Sequence, residues 1–181
     1  MPGLPSVKSL QSVARAFSGE NATSVIRREW KRLSSKPGGK LLFSKLMGLM
    51  VPYTGSMGAR VEEIREGYAK VTLTERRAIR NHLRSIHAVA LANLVEFTAN
   101  LAVLFTAPED TRMIPTRLTI EWLKKARGTV TAECQCSTPS GSERKEYDNE
   151  VLIRDAQGEV VARGTVRSLI GPKRKADAAA A

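Results

Sequence analysis

Aromatic residues are scarce in this chain of 181 residues, at 5%, and it has only two cysteines and two histidines. So few aromatic rings leave little on which nucleic-acid bases could stack. Cys134 and Cys136 stand two apart in a stretch that reads as a strand, so they are neighbours on one face and a poor disulfide pair. No Cys or His cluster accompanies them, so a zinc site lacks ligands, and no metal or cofactor is expected. Reduced thiols fit an intracellular compartment. A charged start followed by a short apolar core and a small-residue cleavage site is also missing, so a secretory signal is not expected. Residues 1–19 hold Lys8, Arg15 and several serines but no acid. The expected location is therefore the cytoplasm, with the mitochondrion as the alternative.

What is present is ordinary for a packed domain. Hydrophobic residues at 42% and charged residues at 26% exclude collagenous, disordered and polytopic membrane chains. The length suits one domain with some extra chain at its ends. The net charge of +11 invites a nucleic-acid reading, but its placement argues otherwise. Residues 1–48 carry a net +7 and residues 171–181 a net +2, which leaves only +2 on residues 49–170. With a near-neutral domain and no nucleic-acid motif, no nucleic-acid partner is expected. Deletion of residues 1–38 would remove any binding that the basic segment does supply.

Along the chain, Ser24–Leu33 reads as a short basic helix broken by Ser34, Ser35, Pro37, Gly38 and Gly39. Lys40–Met50 has helical spacing and is closed by Pro52, Tyr53, Thr54 and Gly55. It reads as a helix packed on a sheet edge, with a membrane-surface helix as the alternative because its polar face is basic. Val61, Ile64, Tyr68, Val71 and Leu73, with Gly67 between them, predict two strands and a turn. Four further strands follow at Ile114–Leu123, Thr129–Cys136, Tyr147–Arg154 and Val160–Ile170. The turns between them fall at Arg127-Gly128, at Thr138–Ser142 and at Gln157-Gly158.

The stretch from His87 to Phe105 is almost continuously apolar and long enough to raise the question of a membrane span. Asn93, Glu96 and Asn100, spaced three and four apart, form one polar stripe on that helix. A mid-helix carboxylate is costly in lipid, so no transmembrane segment is expected and the helix is placed inside a protein core. Strands with short links must be antiparallel, and a sheet can cover such a helix only by curling around it. The fold class is therefore α+β, a long central helix wrapped by a curved antiparallel sheet, with an extra N-terminal helical segment. The expected boundaries are a basic, partly disordered or helical extension over 1–39, a domain over 40–171 and a disordered tail over 172–181.

Glu96 is either a functional carboxylate or a structural one paired with an arginine. His87 stands where the helix begins, as a cap or as part of a site. The N–H of Ala88, at the positive end of a long helix, can stabilise a developing oxyanion. The run Arg80-Asn81-His82-Leu83-Arg84-Ser85-Ile86-His87-Ala88-Val89-Ala90-Leu91, continuing to Glu96, resembles the central segment of hotdog-fold acyl-CoA thioesterases of the phenylacetate-degradation type. It is most similar to a branch of that superfamily in which His-Ala replaces His-Gly-Gly and a preceding helix ends in Pro-Tyr-Thr-Gly, here Pro52–Gly55.

The resemblance covers roughly residues 40–171 and implies the hotdog fold and thioester hydrolysis. It places the site on Asn81, His87, Ala88 and Glu96. Glu96 would activate water or attack the carbonyl, and Ala88 N–H would hold the thioester oxygen. Asn81 would orient water or substrate, and His87 would shape the oxyanion pocket. The carboxylate would lie across a dimer interface from the oxyanion donor, so a homodimer or a dimer of dimers is implied. Ala88 and Val89 stand where better-known members have glycines, which puts more side chain beside the donor. Thr116 lies beside the position of a site serine in several relatives.

Lys124, Lys125 and Arg127 either meet coenzyme A phosphates or form a solvated turn. Arg76, Arg77, Arg80 and Arg84 are a second group for the phosphate role. The competing reading is a non-catalytic acyl-binding hotdog protein. A hotdog hydratase, which pairs an Asp with a nearby His in another motif, finds no such motif here.

Overall fold

The computed structural model describes residues 22–137 and 143–173. The expectations for 1–21 and for 174–181, and the turn at Thr138–Ser142, lie outside the described residues. Helix α1 (Ala22–Leu33) is followed by α2 (Gly39–Met50) and a one-turn α3 (Pro52–Ser56). Strands β1 (Arg60–Arg65) and β2 (Tyr68–Thr74) come next, then a 3-10 turn (Arg77–Ile79) and the long helix α4 (Ala88–Thr106). The chain closes with β3 (Thr111–Trp122), β4 (Thr129–Gln135), β5 (Lys145–Arg154) and β6 (Val160–Pro172). α2 ends at Met50, just before Pro52, as its sequence suggested, and Pro52 has a second role. It opens α3 at a first-turn position, where its missing N–H costs nothing.

All six strands form one antiparallel sheet in the order β1-β2-β4-β5-β6-β3, and α4 packs against every one of them. This is the hotdog arrangement of a sheet curled around a buried helix. Among the described residues α4 is the one helix long and apolar enough to cross a membrane, but half of it is buried inside the protein. Leu91, Leu94, Val95, Ala99, Leu101 and Ala102 form its core face. Burial is tight enough at one point to require a glycine. A Cβ on Gly164 of β6 would stand 2.7 Å from Val95 Cγ1 and 2.9 Å from Thr119 O.

One pairing differs from the sequence expectation. The short link between β3 and β4 reads as a hairpin, yet the two strands are not neighbours. Instead β3 runs along the far edge beside β6, with Ile114 opposite Leu169 and Leu118 opposite Val166. The reason lies in the link. Leu123 and Lys124 both donate to Val161 O on the β6 side, and four residues later Gly128, at φ 66°, joins Glu75 at the end of β2. The link thus crosses the end of the sheet past the start of α4 instead of folding back.

The N-terminal helices join the same core. Trp30 of α1 and Phe43 of α2 meet edge to face, ring centroids 5.0 Å apart at 71°, a pairing worth about 0.5–1.5 kcal/mol beyond area burial. Arg27 donates from Nε to Phe105 O at 2.6 Å and from a terminal nitrogen to Ala107 O at 2.8 Å, satisfying carbonyls at the end of α4. Cys134 and Cys136 are both free and buried. Burial pushes the Cys134 thiol up to about 12, and it raises that of Cys136 as well.

Candidate active site

The chain from Arg80 to His87 is folded tightly around one side chain. Asn81 Oδ1 accepts from Leu83 N–H at 2.9 Å, from Ser85 N–H at 3.2 Å and from the Ser85 hydroxyl at 3.2 Å. This turn puts Arg84 in the left-handed region at φ 53°. The loop is tied down at both ends: Ile86 N–H donates to Ala126 O and His87 N–H to Ile79 O. Asn81 thus fixes the position from which α4 starts, and its amide nitrogen has no partner among the described residues.

His87 is the cap of α4, its Nδ1 accepting Val89 N–H at 3.1 Å. The cap satisfies the Val89 donor and leaves Ala88 N–H, the first of the helix, with no partner among the described residues. The 19-residue helix directs the positive end of its dipole there.

Ala88 borders a cavity of about 410 Å3 whose lining also includes Asn81, Ser85, Trp122, Lys124 and Lys125. Four of the residues singled out from the sequence are thereby brought together: Asn81, Ala88, Lys124 and Lys125. Lys124 is already held by Glu159 at 2.6 Å, whereas Lys125 has no counter-ion among the described residues. Sequence reasoning missed Trp122, which is half exposed and donates its indole N–H to Ala88 O at 3.3 Å. Its only signal was a large aromatic at a strand end, which packing in a core explains equally well.

Three expected residues lie elsewhere in the subunit. Thr116 sits on exposed β3 beside the register shift between Pro115 and Arg117, its hydroxyl 3.3 Å from Arg167 O. Arg127 donates to Arg84 O at 3.2 Å and braces the loop from outside. Glu96 is half-buried and without a hydrogen bond or ion pair among the described residues. Eight residues separate it from Ala88, which at 1.5 Å per residue is about 12 Å along the helix. Of the rest of the polar stripe, Asn93 meets α3. Asn93 Oδ1 accepts from the Thr54 hydroxyl at 3.1 Å, and Asn100 Oδ1 is buried without a partner among the described residues.

Three other charged groups near the loop, Glu75, Arg76 and Arg80, are tied to the fold. Glu75 accepts from Gly128 N–H and pairs with Arg80 at 2.6 Å; the backbone bond first and the guanidinium second hold its carboxyl below the usual range. Arg76 donates to Ser56 O, linking the segment after β2 to α3.

The architecture is shared with solved hotdog-fold thioesterase family proteins. A structural-genomics protein superposes with a TM-score of 0.71 at 26% identity, over 82% of this chain and 99% of its own. A Pseudomonas aeruginosa protein of unknown function, described as a probable thioesterase, gives 0.66 at 22% identity over 74% and 95%. A Staphylococcus aureus thioesterase gives 0.60 at 12% identity over 67% and 99%. At such low identities the last two establish the fold alone. The chain belongs to the family described as a domain of unknown function, DUF4442, whose model matches residues 39–170. No curated protein matches the sequence.

Proposed function

We propose that the chain is a thioester hydrolase that splits an acyl-CoA into the free acid and coenzyme A. The observation that carries this reading is the unpartnered N–H of Ala88 at the positive end of α4, on a residue that lines one cavity with Asn81 and Lys125. Solved neighbours that bear the thioesterase name support it. Glu96 acts as general base or nucleophile. As base, its carboxylate takes a proton from water while the water oxygen attacks the thioester carbonyl. The carbonyl electron pair moves onto the oxygen, where Ala88 N–H receives it. Collapse re-forms the carbonyl, expels the coenzyme A thiolate and returns the proton to sulfur. Asn81 orients the water or the substrate, and Lys124, Lys125 and Arg127 attract the phosphates.

Because Glu96 lies about 12 Å along the helix from Ala88, one subunit does not complete the site. We place the carboxylate opposite the oxyanion donor of a second copy. The homodimer forms along β3, whose outer edge has no strand beside it among the described residues and which exposes Ile114, Leu118 and Trp122. A second reading, non-catalytic acyl binding, is favoured by one observation: Val89, where relatives have glycine, is half exposed beside the donor.

The experiment is thiol release from acyl-CoA esters of graded length. Wild type is expected to turn over, and Glu96→Gln to be inactive with its shape kept. Mixing Glu96→Gln with Asn81→Ala, each inactive alone, should restore part of the activity by pairing one intact half from each chain. No release from any ester would leave the acyl-binding reading; release without recovery on mixing would put both groups in one subunit.

A further inference from the structure

Among the described residues the exposed large apolar side chains fall into two groups. Leu83, Val89, Trp122 and Leu123 lie at the start of α4 or line its cavity, and Ile114 and Leu118 stand on β3, where the proposed homodimer accounts for them. Leu41, Leu49, Val51 and Tyr53 form the second group, and nothing in the proposed reaction uses them. Leu41, Lys45 and Leu49 recur every four residues, so they lie along one ridge of α2, with the leucines about 12 Å apart. Val51 and Tyr53 continue from its end, and Tyr53, at 67%, is the most exposed of these side chains.

The fold holds this ridge outward. Phe43, Leu46 and Met47 on the other side of α2 are buried, and Ser44 Oγ, which donates to Lys40 O at 2.7 Å, accepts Val61 N–H at 2.9 Å. α3 is pressed onto the end of α2, since a Cβ on Gly55 would stand 2.3 Å from Gly48 O. Turning the leucines inward would expose the Phe43 side and break the tie to β1.

The charge around the ridge has one sign. Between Glu29 and Glu62 the sequence holds no acid and six bases. The two arginines are engaged, Arg32 with Glu29 and Arg60 with Glu62. Lys31, Lys36, Lys40 and Lys45 have no counter-ion among the described residues. A second copy would bring lysines against lysines, which disfavours self-association through this face. Lysines offer point charges on flexible stems, without the rigid fork that fits one particular carboxylate, and so suit a diffuse field of negative headgroups. Leucines and a tyrosine on the same ridge suit the boundary between headgroups and acyl chains. We infer that the α2 ridge docks the protein on an anionic bilayer, with Leu41, Leu49 and Tyr53 entering the headgroup region and Lys40 and Lys45 meeting the negative headgroups. Lys31 and Lys36, just before α2, add to the same field. The helix lies in the plane of the surface and does not cross it. This inference does not rest on thioester hydrolysis.

The test is sedimentation of the full chain with vesicles of phosphatidylcholine, alone or with about one-third phosphatidylserine. Expected is binding to the mixed vesicles only, sharply weakened at about 1 M salt, where the screening length is about 3 Å. Lys40→Ala and Lys45→Ala should each weaken it about fivefold, and Leu41→Asn and Leu49→Asn roughly tenfold, with thermal midpoints kept because these side chains reach the surface. Tyr53→Trp supplies a second readout: its emission should shift to the blue on the mixed vesicles, relative to the wild type with its two tryptophans. Absence of binding to the mixed vesicles overturns the inference, and a chain that then halves in mass on Leu49→Asn would give the ridge to a second copy. Binding that the leucine variants leave unchanged, or that leaves the Tyr53→Trp emission unmoved, overturns it too, since either places the contact elsewhere on this basic chain. Vesicle binding needs no ester, so it can succeed where thiol release fails, and the reverse.

Discussion

Trp122, the last residue of β3, donates its indole N–H to the carbonyl of Ala88, the first residue of α4, at 3.3 Å. The bond ties the edge strand to the first turn of the helix, where the unpaired donor sits. Trp122→Phe keeps most of the ring and removes the bond. The expected loss is about 0.5–1 kcal/mol, because the pair is half exposed, and a urea midpoint reads it. Thiol release should fall more than that loss of stability accounts for, since the aligned group is Ala88.

Lys124 and Lys125 border the same cavity but differ in their freedom. Lys124 is held by Glu159 at 2.6 Å, and Lys125 has no counter-ion among the described residues. Lys125→Ala is expected to raise KM for a coenzyme A thioester about fivefold, the worth of roughly 1 kcal/mol of phosphate attraction, with kcat little changed. Lys124→Ala should do less. Equal effects would mean that Glu159 releases Lys124 when substrate arrives.

Gly164 has no room for a side chain. Gly164→Ala would press a methyl group against Val95 Cγ1 and Thr119 O and should cost about 1–3 kcal/mol. Pairing it with Val95→Ala recovers only part, because the Thr119 carbonyl belongs to the backbone. Thermal unfolding of the three variants measures this.

Burial keeps the Cys134 thiol protonated to about 12, against 9.0 for an ordinary thiol. The unfolded chain releases this proton first, so from about pH 9 to about pH 12 it binds fewer protons than the native chain and stability falls. The contribution is full below pH 9 and lost as the folded thiol titrates. Tyr68, raised by burial and then by its bond to Glu133, acts in the same direction above its ordinary 10.0. Cys134→Ala should flatten the lower part of the alkaline limb, and Tyr68→Phe the upper part, in urea midpoints followed against pH.

The central helix was legible because its apolar run is too long for a strand and its polar residues fall on one stripe. Its start was legible too, since His87 caps it and the apolar residues begin just after. The partner of β3 was not. A link of six residues serves a hairpin and a crossing equally well, and the choice is made by Val161 and Glu75, which are far away in sequence. The turn at Asn81 was seen as part of a motif, but its hold on Ser85 depends on a left-handed Arg84 that residue type does not announce.

The far-edge position of β3 also bears on how the chain is made. A ribosome releases residues in order, so β1, β2 and β4 can pair, and α4 can find the Arg27 donors, while synthesis is still under way. The partner of β3 is β6, the last strand to emerge. Until then the whole row of donors and acceptors along β3 faces water on both sides, open to pairing with another nascent copy. Its lone Pro115, which has no N–H to offer, interrupts that row near the middle during the interval when β3 has no neighbour of its own.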